Sequence, residues 1–391
     1  MVEGKKTKVR LGVIGCGGMG QGHIRYIKEL SDIAELTAVA DVDKPTLEKI
    51  VAQEGGNVAA FTDYNELLDS GLVDAVVIAT PHYLHPVIGI KAFEKGLHVL
   101  SEKPIAVSVS DADKFISAAE KSKKVFAVMY QHRTLPAVRA AREIIKRGVI
   151  GDIKRTLMVD VHYRCDAYYM SAGWRATWKG EGCGVLINQA PHGIDLFMLL
   201  GGVPKSVTGK VRTRMHNIET EDEACAFLEY ENGAWGYYYT TTCEVPVPHG
   251  MRIEICGDKG KMVYTDGTLK VYTFTPSISE HNLSSKEMWS APSAKEEALE
   301  LPAANIGHKE IIRNFCAAIL FGEELIAPGK EGIWSVEFIN AVNLSGRRGG
   351  NKPVEIPVPR DDYDALLEEL KSSSKEKVVE VEQRITDTRF L

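Results

Sequence analysis

Three short stretches of this sequence hold groups that could bind an anion or move a proton. The first, Gly15-Cys16-Gly17-Gly18-Met19-Gly20, fits G-x-G-x-x-G. It follows the strand-like run KVRLGVI and opens a helix-like segment, the context in which the motif binds a dinucleotide. Gly15 suits the tight turn, Gly17 lets the backbone approach a pyrophosphate, and Gly20 lets the helix pack on the strand. Gly18 and Met19 begin the helix, whose free N–H groups face the anion. Asp41 ends the next strand-like run, about 20 residues after the last glycine, where a carboxylate can accept from both ribose hydroxyls. It would repel a 2′-phosphate, and no Arg follows it directly (Val42, Asp43, Lys44). The expected cofactor is therefore NAD, not NADP.

The second stretch is a pair of strand ends. Ala79-Thr80-Pro81-His82 lies where the apolar run AVVIAT stops, and Glu102-Lys103-Pro104 ends the next extended run. Ligands of open α/β sheets bind beyond the carboxyl ends of the strands, so these residues are expected at a crevice. A Lys there can stabilise a developing alkoxide. The third stretch, GEGCGVLINQAPHGID, spaces Asn188 and His192 four apart and places Asp195 three further on. If residues 185–200 form one helix, the three share a face. The glycines of 180–184 read as backbone passing close to a ligand. An ordinary His titrates near 6.5, which suits a general base near neutral pH. Asn188 does not titrate, but its amide can bond a hydroxyl through O and NH₂.

Residues 163–178 concentrate Tyr163, Arg164, Tyr168, Tyr169, Trp174, Arg175 and Trp178. Rings can cover the apolar face of a pyranose, and Arg can donate paired hydrogen bonds to hydroxyls or a carboxylate. The same composition also suits a packed loop or a subunit interface. His82 and His85 are spaced i, i+3 without a third ligand, so no metal site is expected.

The elements that would position these groups show two patterns. Up to about residue 130, short continuous apolar runs (9–15, 36–40, 75–80, 98–101, 125–130) alternate with helical periodicity (19–30, 44–53, 84–95, 112–121). That argues for a parallel, doubly wound sheet. From residue 153 onward, 154–162, 224–229, 252–256 and 269–274 alternate apolar and polar residues, as in an antiparallel sheet with one exposed face. Residues 276–302 read as a surface loop, 308–321 and 331–347 as helices, and 372–391 as a loosely attached, charged tail or partner arm.

At 391 residues the chain exceeds one hydrophobic core. A net charge of −6, without a basic cluster, argues against a nucleic-acid surface. No apolar run approaches the roughly 20 residues of a membrane span. The polar start argues against a signal peptide. Seven cysteines, none in a Cys-x-x-Cys pair, read as reduced thiols of a cytoplasmic protein.

In this order, the glycine motif, Ala79-Thr80-Pro81, Glu102-Lys103-Pro104 and the segment ending in His192-x-x-Asp195 make the chain resemble the Gfo/Idh/MocA family of glucose–fructose oxidoreductases and inositol dehydrogenases. The likeness runs from about residue 8 to about residue 357. It implies a Rossmann domain (1–133) and an α/β domain with a large, mostly antiparallel open sheet for substrate binding and oligomerisation (134–357). A C-terminal helix and tail (358–391) follow, with helices of 308–347 packing back on the first domain. It implies hydride transfer between nicotinamide and a secondary alcohol of a sugar, glycoside or inositol, beside Lys103 and His192. Gly15, Gly17, Gly18, Met19, Gly20, Asp41, Thr80, Pro81, His82, His85, Glu102, Lys103 and Gln131 are the expected cofactor contacts. Lys103, Tyr163, Arg164, Trp174, Arg175, Asn188 and His192 are the expected substrate contacts, with Lys103, His192 and Asn188 catalytic. The family position matching Asn188 is commonly Asp, which puts the usual three-residue relay in doubt.

Trp174-Arg175-x-x-Trp178 with Asn188-Gln189-Ala190-Pro191-His192 resembles a branch acting on glycosides and other sugars. Redox-assisted glycoside cleavage or epimerisation with recycled NAD is the alternative activity, and a sugar- or NAD-sensing regulator the alternative class. The family turn implies a cis Lys103–Pro104 bond. Trp235, Tyr237 and Tyr239, alternating on one strand face, would leave an apolar patch on a monomer, so a homo-oligomer (dimer or tetramer) is expected.

Overall fold

The computed structural model describes residues 7–301, 303–348, 350, 352–375, 377 and 379. Its first sheet is built from β1 (Val9–Ile14), β2 (Ala34–Ala40), β3 (Ala59–Phe61), β4 (Ala75–Ile78), β5 (His98–Ser101) and β6 (Phe126–Val128). All are parallel, in the order β3-β2-β1-β4-β5-β6. The connections are α1 (Gly18–Glu29), α2 (Lys44–Gln53), α3 (Tyr64–Asp69), α4 (Leu84–Glu94) and α5 (Val109–Ser122). Strands covered on both faces can be apolar throughout, as Ala75–Ile78 is. Strand order reverses between β1 and β4, and their carboxyl ends open the crevice where such sheets bind ligands. There Ala79 N donates to Ile14 O at 2.8 Å.

A 3-10 turn, Gln131–Thr134, and α6 (Pro136–Lys146) lead to the second sheet. Its strands are β7 (Ile153–Val161), β8 (Ser206–Arg212), β9 (Glu223–Glu229), β10 (Trp235–Thr241), β11 (Met251–Gly257), β12 (Gly260–Thr265), β13 (Thr268–Thr275), β14 (Ser293–Glu296) and β15 (Val354–Glu355). The order is β14-β13-β12-β11-β7-β10-β9-β8-β15, antiparallel except between β7 and β10. One face carries Tyr238, buried against Phe197 and Phe338. The other carries Phe227, Trp235 and Tyr237, the last two 62% and 44% exposed.

The remaining helices are α7 (Asp166–Tyr169), α8 (Val185–Asn188), α9 (Pro191–Gly201), α10 (Ile278–Ser284), α11 (Gly307–Phe321), α12 (Ile333–Arg348) and α13 (Arg360–Ser373). Helix α12 joins the two sheets. Its Asn340 side chain accepts from Val109 N and donates to Val107 O, each at 3.0 Å. Further along, Gly209 of β8 packs so closely on Val342 that a Cβ there would lie 2.8 Å from the Val342 carbonyl oxygen.

Three expectations change. Residues 185–200 are two helices, because Pro191 starts the second and cannot continue the first. Residues 276–302 are not all loop. Ser277 and Glu280 form a capping box that starts α10, and β14 pairs with β13. The tail is tied down where it is described. Ser374 Oγ donates to Glu219 at 2.6 Å, and Lys377 Nζ donates to the Tyr169 and Arg175 carbonyls. Residues 380–391 and the N-terminal residues 1–6 lie outside the described residues.

Candidate active site

The glycine turn is shaped by contact with itself. A Cβ on Gly20 would sit 1.9 Å from Gly15 O, so only glycine lets α1 close on the turn. A Cβ on Gly17 would meet no described atom within 4 Å, which leaves its backbone open to a phosphate at the helix start. Beside it, Asp41 accepts from Cys16 N at 2.7 Å and from Asp43 N at 2.9 Å. These contacts hold the carboxylate next to the turn, where a ribose would lie. Thr80 Oγ1 and Gln131 Oε1 are buried, with no hydrogen-bond partner among the described residues. Open backbone at Gly17, the carboxylate at the second strand end and two buried polar atoms without partners fit a dinucleotide laid across the crevice.

Lys103 stands at the end of β5, after a carboxylate that is itself fastened. Glu102 accepts from His23 Nε2 of α1 at 2.8 Å and from Lys103 N at 3.2 Å. Burial alone would raise Glu102, but the His23 hydrogen bond and the surrounding cations bring it down to about 2. The Lys103–Pro104 bond is cis. Lys103 Nζ donates to the main-chain oxygen of Asn188 at 2.7 Å, and burial lowers its pKa. His192, at the start of α9, meets Gln131 Nε2 through its own Nε2 at 3.2 Å. Its Nδ1 is buried without a partner among the described residues. The His132 ring lies 4.7 Å from it. Burial, with His132 and Lys103 nearby, pushes His192 well below its ordinary value, and burial takes His132 to about 4.

The family profile described as "Oxidoreductase family, NAD-binding Rossmann fold" matches residues 9–130, and the GFO/IDH/MocA C-terminal domain profile matches residues 138–263. The chain belongs to the Gfo/Idh/MocA oxidoreductase family. It is an NAD-binding enzyme. It is similar to the glucose-6-phosphate 3-dehydrogenase of Bacillus subtilis (strain 168), 26% identical over 276 residues covering 67% of this chain and 76% of that enzyme. It is also similar to the scyllo-inositol 2-dehydrogenase (NAD(+)) of the same organism, 29% identical over 271 residues covering 67% and 75%. Among solved structures, the WlbA dehydrogenase of Bordetella pertussis, in complex with NADH and UDP-GlcNAcA, superposes with a TM-score of 0.76. That pair is 27% identical and covers 90% of this chain and 100% of that one.

Within this family member, the sequence-derived residues divide. Lys103, Asn188, His192 and Gln131 come together. Asn188 and His192 do so across a helix break, and Asp195 departs from them. Its carboxylate takes both Nε and Nη2 of Arg133, at 2.8 and 2.6 Å, in a buried pair. His85 offers no ring nitrogen to a cofactor. Nδ1 lies 2.7 Å from Pro104 O and Nε2 2.7 Å from Thr80 O, so it ties the two strand-end turns together. His82 Nδ1 faces Glu181 O at 3.2 Å, and its ring packs edge-on against Trp174. Arg175 donates to Tyr168 OH at 2.8 Å and lies over the Trp174 ring. Arg164 lies over Tyr168, while Tyr163 is exposed.

The glycines of 180–184 serve chain-on-chain packing. A Cβ on Gly180 would lie 2.5 Å from Trp174 Cα, and one on Gly184 would lie 1.8 Å from Glu221 O. Glu181, buried between those glycines, is not marked by any motif in the sequence. It accepts from the Asn188 side chain, and burial raises it to about 7. A lone carboxylate in a glycine run near Asn188 was the available signal.

Proposed function

We propose that this enzyme oxidises a ring secondary alcohol of a sugar, glycoside or inositol with NAD. The observation that carries the reading is the placement of Lys103 and His192. Both are half-buried at the carboxyl end of the parallel sheet, and Lys103 is close enough to be among the charges that depress His192. NAD supplies the hydride acceptor. Lys103, made less basic by burial, accepts the hydroxyl proton as the carbonyl forms. His192 is held largely neutral near pH 7 and acts as a hydrogen-bonding partner of the substrate oxygen. This reverses the sequence expectation of a near-neutral His192 base. The stacked Tyr168, Trp174 and Arg175 support a substrate with a flat apolar face and several hydroxyls.

The test is NADH formation with a panel of D-glucose, methyl glucosides, glucose 6-phosphate and scyllo-inositol. At least one should reduce NAD in preference to NADP. No turnover with any of them, in protein that binds NAD, would sink the reading.

We also propose that residues 1–133 and 134–357 act as cofactor and substrate domains in a cytoplasmic homo-oligomer. No described helix is long and apolar enough to cross a membrane. The exposed Phe227, Trp235 and Tyr237 face supports self-association. Light scattering should give a multiple of 43.0 kDa, reduced to the single-chain mass by Trp235→Glu. A single-chain mass for the unaltered protein contradicts the proposal.

A further inference from the structure

Asn188 touches two ionisable groups with two different parts of itself. Its main-chain oxygen takes Lys103 Nζ at 2.7 Å, and its side-chain amide donates to one carboxylate oxygen of Glu181. The other Glu181 oxygen accepts from Ala176 N at 2.5 Å. Ala176 is a non-glycine residue held at φ 51°, and its strained turn aims that N–H at the carboxylate. The Asn188 amide also reaches Tyr168 OH at 3.2 Å, and Gln189 Nε2 and Arg175 Nη1 donate to the same hydroxyl at 2.9 and 2.8 Å. Glu181 is 2% exposed. Such a carboxylate, built into a network reaching the candidate proton acceptor, is costly to bury and ordinarily has a reason to be there.

We propose that Glu181 is the acid–base carboxylate of this active site, a positioning residue that sets the protonation state of Lys103 across Asn188. This rests on the reading of Lys103 as proton acceptor. The groups acting on Glu181 come from several elements. Burial raises it, while Arg175, the Ala176 N–H, the Asn188 amide and Lys103 lower it, leaving it at about 7. Tyr169 of α7 and Lys377 from the tail also feel its charge. Glu181 in turn raises Lys103, against the larger effect of burial.

The two groups therefore titrate as a pair. Below neutral pH both hold protons. As pH rises, one proton leaves, and the remaining proton is shared between amine and carboxylate. When it rests on Glu181, Lys103 has a free lone pair. The substrate O–H proton then goes to Lys103, while its C–H electron pair leaves as hydride to NAD. Glu181 touches neither substrate nor cofactor in this scheme.

The test uses full-length, NAD-loaded protein with ¹³C-carboxyl glutamate, followed by NMR over a pH series. One resonance, missing in Glu181→Gln, should titrate near neutral pH, and Lys103→Met should raise its midpoint, as loss of an opposite charge does. A midpoint near an ordinary glutamate's value of about 4.3 overturns the proposal, and so does a midpoint that ignores Lys103→Met. With any sugar from the panel that is oxidised, Glu181→Gln keeps the amide contact but should lose the neutral limb of kcat/KM. The exchange Glu181→Gln with Asn188→Asp should restore a limb. A merely structural role leaves the Glu181→Gln profile unchanged.

If Glu181→Gln does not fold, Asn188→Asp replaces it, and the second carboxylate should push the Glu181 midpoint upward. An unmoved midpoint there counts against the idea. If no sugar is oxidised but the resonance titrates near neutral and answers to Lys103→Met, the substrate reading fails and the Glu181 pairing stands.

Discussion

The two halves of the crevice work by different means. The cofactor half is made mostly of backbone: a glycine turn, two strand ends and a helix start, each built from residues adjacent in sequence. The substrate half is made of side chains drawn from separate elements. Lys103 follows β5, His192 lies at the start of α9, Glu181 and Asn188 come from the glycine-rich run and α8, and Lys377 arrives from the tail. Backbone geometry is specified over a few residues, so it leaves a short local signature. A cluster of side chains leaves none, because its members are joined only by folding.

The strongest challenge to that contrast is the link between the halves. Arg133, beside β6, pairs with Asp195 of α9 and also reaches Glu331, all largely buried. Arg133→Ala strands a buried carboxylate and should cost about 3–5 kcal/mol, the usual penalty for breaking such a pair. Denaturant unfolding measures it. A loss confined to one sheet, seen as two separate transitions, would show that the halves are not coupled through this pair.

Next in size is Lys103→Met, expected to lower kcat/KM about 10²-fold or more, as loss of a preorganised charge does. NAD binding should change little if, as expected from the sequence, the glycine turn and Asp41 carry it. Equal losses in NAD affinity and turnover would erase the division between the halves.

A further expected effect, read in a different variable, is a pH dependence of stability. Burial lowers His132 and His308 from 6.5 to about 4. Between those values the unfolded chain binds protons that the folded chain does not, so stability falls as pH drops from 6.5 toward 4. Urea midpoints across that window should show the fall, and His132→Asn should lessen it while His308 keeps the remainder. A midpoint constant down to pH 4 would mean that these rings are charged in the folded protein.

Much of the first sheet was legible. Lys44–Gln53 is helical over the expected span, with Asp43 capping it by accepting from Thr46 N at 3.1 Å. The alternation of Trp235, Tyr237 and Tyr239 with buried neighbours also follows from the two-residue period of a strand. Less visible were α6, which begins at Pro136, and the helix break at Pro191, although proline at a first helical position is a known start signal. The family resemblance implies His85 as a cofactor contact, but the two carbonyls beside its ring nitrogens are not visible in sequence. Glu181 stands out less, because the glycines around it read as backbone close to a ligand. In the fold, they let Trp174 and Glu221 close over it.

By itself, the amino-acid sequence determined the dinucleotide turn, the strand-end positions of Thr80 and Lys103 and the two kinds of sheet. Each depends on spacing within a few residues or on a regular period. Only the tertiary structure decided which of these groups meet. It placed Glu181 on the amide of Asn188, Lys103 on that residue's carbonyl, and Asp195 on Arg133 instead of at the reacting centre. Burial did the rest, because the charge a side chain carries is set by the water it loses and the neighbours it gains.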